Sequence, residues 1–441
     1  MLKACLWHDH SPAPCGRYSG ARAPQAGRLA LAISHRRAPL CRMDLHQRYP
    51  AIADLKARAR RRIPWFAFEY LDSATGTEAT QTRNRRMLDE VLLMPSILHG
   101  EFTADLRTRL LGRDYALPFG ISPVGMSGLF WPDAERLLAR AATAAGLPYG
   151  LSTVASRRPE DVAPDLDGNG WFQMYPPRDA DIRADMLARA RDAGFSALVL
   201  TADVPVASRR ERQTRSGLTS PPRLTPRLMA QVARCPAWAL GTARLGMPRM
   251  RLIDDYAGAV TGLGSTEHAG YLLRTSPDME YLHALRAAWD GPLIVKGVLD
   301  PRDVPALEAA GVDALWVSNH AGRQFDAAPA SIEALPAICS ATRLPLIFDS
   351  GIEGGLDILR ALALGADFVM LGRAWHYALG ALGAAGPAHL ADLLTRDLHA
   401  NMGQLGARSL ADLPGRLAPA LTPPGCSPGK PAAPPADAEP A

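Results

Sequence analysis

Residues 314–326 read A-L-W-V-S-N-H-A-G-R-Q-F-D. Ala314 to Val317 is an apolar run, and Ser318, Asn319 and His320 follow it at once. A buried strand that delivers polar groups to its carboxyl end has this pattern. His320 and Arg323 then stand three residues apart, where strand gives way to loop. Such a pair suits chemistry on a small carboxylate, because a guanidinium can hold the carboxylate bidentately while an imidazole moves a proton. A lone histidine at a strand end is more often a hydrogen-bonded structural group than a catalyst, so the rest of the chain must decide.

Seven other apolar runs of strand length surround this one. They begin at Pro118 (P-F-G-I-S-P-V-G), Tyr149 (Y-G-L-S-T-V-A-S), Trp171 (W-F-Q-M-Y), Ala197 (A-L-V-L-T-A-D), Leu293 (L-I-V-K-G-V), Pro345 (P-L-I-F-D-S-G) and Phe368 (F-V-M-L-G-R). Between most of them lie Ala/Leu/Arg-rich stretches of helical character, such as D-A-E-R-L-L-A-R-A-A-T-A-A from Asp133. Strands alternating with helices predict an α/β fold with a parallel sheet. Eight such units over roughly 260 residues have the count and size of a (β/α)8 TIM barrel.

The flanks differ in character. Residues 1–43 carry Lys3 and six arginines against one acid, Asp9, with no lasting period. That is the composition of a transit peptide, or of upstream sequence translated from a start placed too early, and neither carries a fold. From Asp44 to Leu71 two helical stretches follow, with Pro64 suited to a first helical turn and Arg58–Arg62 reading as a solvated helix face. Residues 44–415 are expected to form the catalytic domain, and 416–441 a Pro/Ala-rich disordered tail. Between Arg209 and about Glu280 the rhythm breaks. This strandless insertion between units four and five is rich in Arg, Pro and Gly, and suits a lid or an interaction surface.

Composition excludes several classes. A net charge of +5 over 441 residues is mild, and no basic run is interleaved with aromatics, so no nucleic-acid partner is expected. The six cysteines contain no C-x-x-C pair, which implies neither a disulfide framework nor a zinc site, and no metal is expected. No apolar run approaches the length of about 18 residues that a membrane span needs. These features fit a cytoplasmic protein, or one peripheral on an inner membrane.

In a TIM barrel the active site lies where the strands end. The ends here supply Gly125, Ser152, Gln173 with Tyr175, Thr201 with Asp203, Lys296, His320, Asp349 with Gly351, and Gly372 with Arg373. A buried Lys296 requires an anionic or hydrogen-bonding partner and so implies a bound group. The glycines before the last two helices, with Arg373, suit a phosphate.

The stretch S-N-H-A-G-R-Q-F-D, supported by L-S-T-V-A-S, W-F-Q-M-Y, L-T-A-D-V-P, L-I-V-K-G and A-L-A-L-G-A-D, resembles the FMN-dependent α-hydroxy-acid dehydrogenases and oxidases over about residues 44–415. The resemblance implies that His320 is the catalytic base, oriented by Asp203, and that Tyr175 hydrogen-bonds the substrate oxygen. It implies that Tyr70, Arg210 and Arg323 bind the substrate carboxylate. It places FMN against Pro123, Val124, Gly125, Ser152, Gln173, Thr201, Lys296 and Ser318, with its phosphate at Asp349, Ser350, Gly351, Gly372 and Arg373. The implied reaction oxidises an L-2-hydroxy acid of the lactate or mandelate type, with electrons passing to a quinone or cytochrome. His320 takes either the α-hydrogen as a proton or the hydroxyl proton, two routes the residues leave open. Gly125 and Val154 are read as leaving room for a bulkier acid. The resemblance also implies a homo-oligomer. Oxygen as acceptor, or a non-redox phosphate-binding barrel, are the competing readings.

Three departures stand out. Glu353 replaces an arginine expected near the FMN phosphate, Ala321 replaces a loop glycine, and Ser73–Thr75 replaces a G-G-A turn. The arginines of the insertion, among them Arg212, Arg227, Arg234, Arg244 and Arg249, suit either a solvated lid or a surface for anionic lipid.

Overall fold

All eight apolar runs are strands of one closed barrel. The structure, a computed structural model, describes residues 44–206, 208–218, 225–257 and 275–419. The expected N-terminal extension, most of the C-terminal tail and parts of the insertion lie outside these residues. The strands are β1 (Phe119–Ile121), β2 (Tyr149–Ser152), β3 (Gly170–Met174), β4 (Ala197–Thr201), β5 (Leu293–Val298), β6 (Ala314–Val317), β7 (Leu346–Phe348) and β8 (Phe368–Leu371). Each is parallel to the next, and β8 closes the ring against β1 with Val369 opposite Phe119. Parallel strands covered on both faces lack polar alternation, and this is why each reads as a continuous apolar run.

The barrel is filled rather than hollow. Trp171, Val199, Ile294, Trp316, Ile347 and Phe368 form a buried inner cluster, in which the Trp171 and Trp316 rings meet edge to face at 6.3 Å. An antiparallel hairpin, Thr108–Leu110 with Arg113–Tyr115, adds Leu110 and Tyr115 to this cluster. Truncating a buried tryptophan such as Trp316 to alanine would cost about 3–5 kcal/mol.

The N-terminal helices, Ile52–Arg62 and Trp65–Asp72, pack beside the last barrel helix, Arg373–Leu382. Gly380 permits the close approach, since a Cβ there would lie 2.9 Å from Ala59. Arg58 and Arg62 are not merely solvated, contrary to the sequence reading. Both donate to the Ala381 carbonyl, with Arg58 Nε at 2.7 Å, so they meet the negative end of that helix. Pro64 is the residue before the Trp65–Asp72 helix rather than within its first turn.

The described part of the insertion is helical: Glu211–Arg215, Pro226–Ala233, Pro236–Leu245 and Arg251–Ala257. Its buried Trp238 donates from Nε1 to the Leu129 carbonyl at 2.9 Å, which anchors the insertion to the segment after β1.

Candidate active site

A cavity of about 450 Å³ opens at the carboxyl ends of the strands. Its lining brings together residues far apart in sequence, including Tyr70, Tyr175, Arg210, Lys296, His320, Arg323 and Arg373. Pro123, Val124, Gly125, Asp349, Ser350, Gly351 and Gly372 complete much of the wall.

His320 follows β6 in a left-handed conformation, φ +55°, that turns the chain sharply out of the strand. Its Nδ1 lies 3.2 Å from each carboxylate oxygen of Asp203, which follows β4. A carboxylate can only accept, so this contact places the proton on Nδ1 and leaves Nε2 as a basic nitrogen. Gly297 makes the approach possible, because a Cβ there would collide with Asp203, and its φ of +108° also demands glycine. Sequence reasoning did not single out Gly297, although a glycine inside the apolar strand run L-I-V-K-G-V is a local signal for such a close approach.

Three arginines share the cavity. Arg323 donates to the carbonyls of Tyr70 (3.0 Å), Leu71 (3.0 Å) and Ser73 (2.6 Å), which fixes the end of the helix that carries Tyr70. A guanidinium has five N–H donors, so two remain after these three bonds. The Nε of Arg210 and that of Arg373 are buried, and neither has a partner among the described residues. Burial, then the nearby Arg210 and Arg373 cations, push the Arg323 guanidinium well below its ordinary pKa. Three cationic groups lining one cavity with no carboxylate bonded to them among the described residues call for anions.

Lys296 is buried at the end of β5, and its ammonium donates to Asp349 and, at 2.7 Å, to Ser318 Oγ. Its burial therefore does not by itself require a bound group, as the sequence had suggested: the partner is Asp349, at the end of β7. Ser350 Oγ donates to Asp349 at 2.8 Å and accepts from the Ala321 amide at 3.0 Å, which ties the β6 and β7 loops together. Ser152, Gln173 and Thr201 are buried in a hydrogen-bonded row across β2, β3 and β4. Ser152 Oγ donates to Gln173 Oε1 at 2.7 Å, and Gln173 Nε2 donates to Thr201 Oγ1 at 2.9 Å.

The departures from the sequence pattern have structural counterparts. Ala321 has φ +54° and ψ +37°, a conformation in which its methyl group is strained. Glu353 is exposed and lines the same cavity as Arg373. Gly125 and Val154 meet at the cavity wall, where a Cβ at 125 would lie 2.6 Å from Val154 Cγ2.

Two further groups escaped sequence reasoning. Lys56 lines the cavity from the first long helix, paired with Asp72 at 2.6 Å. Arg212, two residues beyond Arg210, is not a surface arginine. It bonds Glu69 (2.6 Å), Asp72 (2.8 Å) and Glu78 (2.9 Å), and so clamps the insertion to the helix bearing Tyr70. Nothing local in the sequence marks these long-range pairs.

The cavity suits a flat phosphorylated cofactor, with glycines and backbone at one wall and unpaired arginine donors for its anionic group. The FMN-dependent dehydrogenase family matches residues 59–418. The chain belongs to this family. Its members bind FMN, and FMN is the cofactor of this enzyme. The L-lactate dehydrogenase of Pseudomonas aeruginosa (strain LESB58) is 40% identical over 369 residues, 82% of this chain and 96% of its own. The L-lactate dehydrogenase of Acinetobacter baumannii (strain AYE) is 39% identical over 366 residues, again 82% of this chain, and 95% of its own. Among solved structures, monotopic membrane protein (S)-mandelate dehydrogenase superposes with a TM-score of 0.78 at 33% identity, covering 83% of this chain and 98% of that one. A mandelate oxidase superposes with a TM-score of 0.70 at 33% identity, covering 84% and 98%. This FMN-dependent dehydrogenase is thus an oxidoreductase built on the TIM barrel that its sequence predicts.

Proposed function

We propose that the enzyme oxidises an L-2-hydroxy acid of the lactate or mandelate type to the 2-oxo acid. The observation that carries this reading is the conjunction, in one cavity, of the His320–Asp203 pair with the unpartnered donors of Arg210 and Arg373. A phosphate and a substrate carboxylate would supply the two anions that these arginines need.

Arg210 and the remaining donors of Arg323 would hold the carboxylate, with the Tyr70 hydroxyl beside them. The Tyr175 hydroxyl would bond the substrate oxygen. His320 Nε2 would take the proton, and Asp203 would stabilise the resulting imidazolium while fixing its ring. FMN, when bound, supplies the acceptor for the two electrons. Its phosphate would meet Gly351, Gly372 and Arg373, and its ring system would lie along Pro123–Gly125 with Lys296, Ser318 and the row Ser152, Gln173 and Thr201 around it. A fixed cation at Lys296 would favour the negative charge that accompanies reduction. In this reading residues 44–415 form the catalytic domain, flanked by 1–43 and 416–441.

The acceptor is read as a quinone or cytochrome at a membrane surface. No helix among the described residues is long and apolar enough to cross a membrane. The insertion nevertheless exposes Met229, Leu240, Leu245 and Met247 beside the exposed Arg227, Arg234, Arg244 and Arg249, a pairing that suits shallow apolar insertion with attraction to anionic headgroups. The structural relative that is a monotopic membrane protein supports the same placement. Co-sedimentation with anionic vesicles at low and high salt tests it, with residues 216–252 replaced by a short linker as the control. Equal sedimentation of both proteins would leave the insertion as a lid. Oxygen uptake with substrate present would instead make the enzyme an oxidase.

A further inference from the structure

His376 is a buried, titratable group that the proposed chemistry does not use. It sits in the Arg373–Leu382 helix, 1% exposed, with the Phe130 ring edge-on at 5.4 Å. Its Nδ1 lies 2.9 Å from the Gly372 carbonyl and its Nε2 lies 2.7 Å from Ser127 Oγ. A carbonyl only accepts, so Nδ1 carries the hydrogen toward Gly372. Nε2 is then an acceptor for the Ser127 hydroxyl, whose one hydrogen has the Val124 carbonyl, 2.9 Å away, as its alternative acceptor; the bond to Nε2 joins the helix after β8 to the segment after β1.

These contacts have a location that matters. Val124 and Gly125 line one wall of the FMN cavity, and Gly372 and Arg373 line another. The bonding between β1 and β8 reaches Ser122 N–H to the Leu371 carbonyl, 2.8 Å, and just beyond it the two loops turn away around the cavity. A Cβ at Gly372 would lie only 3.3 Å from Val124 Cγ2, so small changes in their separation would be felt.

We propose that His376 is a positioning residue for the cofactor, bonding Gly372 from one ring nitrogen and Ser127 from the other to hold the β1 and β8 walls of the cavity at a fixed separation. The inference rests on FMN occupying this cavity. Phenylalanine at 376 would fill the space and lose both bonds. Glutamine places an amide oxygen near Nε2 and restores the bond from the Ser127 hydroxyl, the one that crosses between the two walls.

The test uses holoenzymes of the wild type, His376→Phe, His376→Gln and Ser127→Ala. FMN release on dilution is followed by recovery of flavin fluorescence, and the visible flavin spectrum and melting temperature of each are recorded. The dissociation constant should rise about tenfold in His376→Phe, with a displaced flavin spectrum, and return to within threefold of wild type in His376→Gln. A folded His376→Phe enzyme that binds FMN within threefold of wild type overturns the proposal, as does equal weakening by Phe and Gln. If His376→Phe does not fold, Ser127→Ala decides: a twofold or greater weakening supports the clamp, and anything less overturns it. A wild-type protein that binds no FMN at all would instead remove the cofactor assignment itself.

Discussion

His320 Nδ1 stands equidistant, at 3.2 Å, from the two carboxylate oxygens of Asp203, and Asp203 reaches that position across Gly297, where no side chain intervenes. The pair is partly buried, so its mutual orientation is set by strand ends β4, β5 and β6 together rather than by either residue alone.

The first prediction concerns this pair. Asp203→Asn keeps the size of the side chain but removes its charge and one acceptor. The expected result is a fall in kcat of about 10²-fold or more, with FMN retained, because the imidazolium loses its stabilising partner. Steady-state kinetics on flavin-loaded protein check it; a fall of less than tenfold would detach Asp203 from the chemistry.

Arg210 carries the second. Its Nε is buried and unpartnered among the described residues, which is the state expected of a group awaiting an anion. Arg210→Met should lower kcat/KM for a 2-hydroxy acid by the equivalent of about 2–5 kcal/mol, the usual effect of removing one partner of a buried charge pair. The FMN content should stay as in the wild type. Lost flavin with unchanged kcat/KM in the loaded fraction would place Arg210 with the cofactor instead.

Much of this was legible in the sequence, and what was not has a common physical cause. The eight strands were visible because strands covered on both faces are uninterrupted apolar runs, and their ends were visible because polar residues follow at once. That placed His320, Asp203, Lys296 and Arg373 at one mouth. Apart from the His320–Asp203 pair, which the family resemblance implied, the partners between remote segments were not visible. Lys296 and Asp349, Arg212 and its three carboxylates, and Arg58 on the carbonyl of Ala381 are pairs between remote segments, and no local period or spacing encodes them. The positive φ at Ala321 was foreshadowed only by the loop glycine that its neighbours led one to expect.

Ala321 gives the third prediction. An alanine at φ +54° is strained by about 1 kcal/mol relative to glycine. Ala321→Gly should therefore stabilise the protein by roughly that amount, offset in part by the added freedom of glycine in the unfolded chain. Urea denaturation of the two holoenzymes measures it, and a loss of stability would show that the methyl group makes contacts that outweigh the strain.

The fourth concerns acid. Burial lowers the His376 pKa from its ordinary 6.5 to about 4. Below pH 6.5 the unfolded chain therefore takes up a proton that the folded protein refuses, and stability falls as pH drops toward 4, by up to about 1.4 kcal/mol per pH unit. His376→Asn lacks this group. Its stability deficit relative to wild type should shrink by up to about 2 kcal/mol between pH 7 and pH 5, measured by denaturant titration. A deficit that does not change with pH would mean that burial does not lower the His376 pKa in the folded protein.

The central claim is that this barrel passes two electrons from an L-2-hydroxy acid to FMN using His320. The most direct measurement is the visible absorbance of the bound flavin in purified protein mixed with L-lactate or (S)-mandelate under nitrogen, beside His320→Gln carrying the same amount of FMN. The wild type should bleach within the mixing experiment with at least one of the two acids, while His320→Gln bleaches at least about 10²-fold more slowly. Flavin that stays oxidised in the wild type with both acids, or a His320→Gln enzyme that bleaches at more than about a tenth of the wild-type rate, would contradict the account.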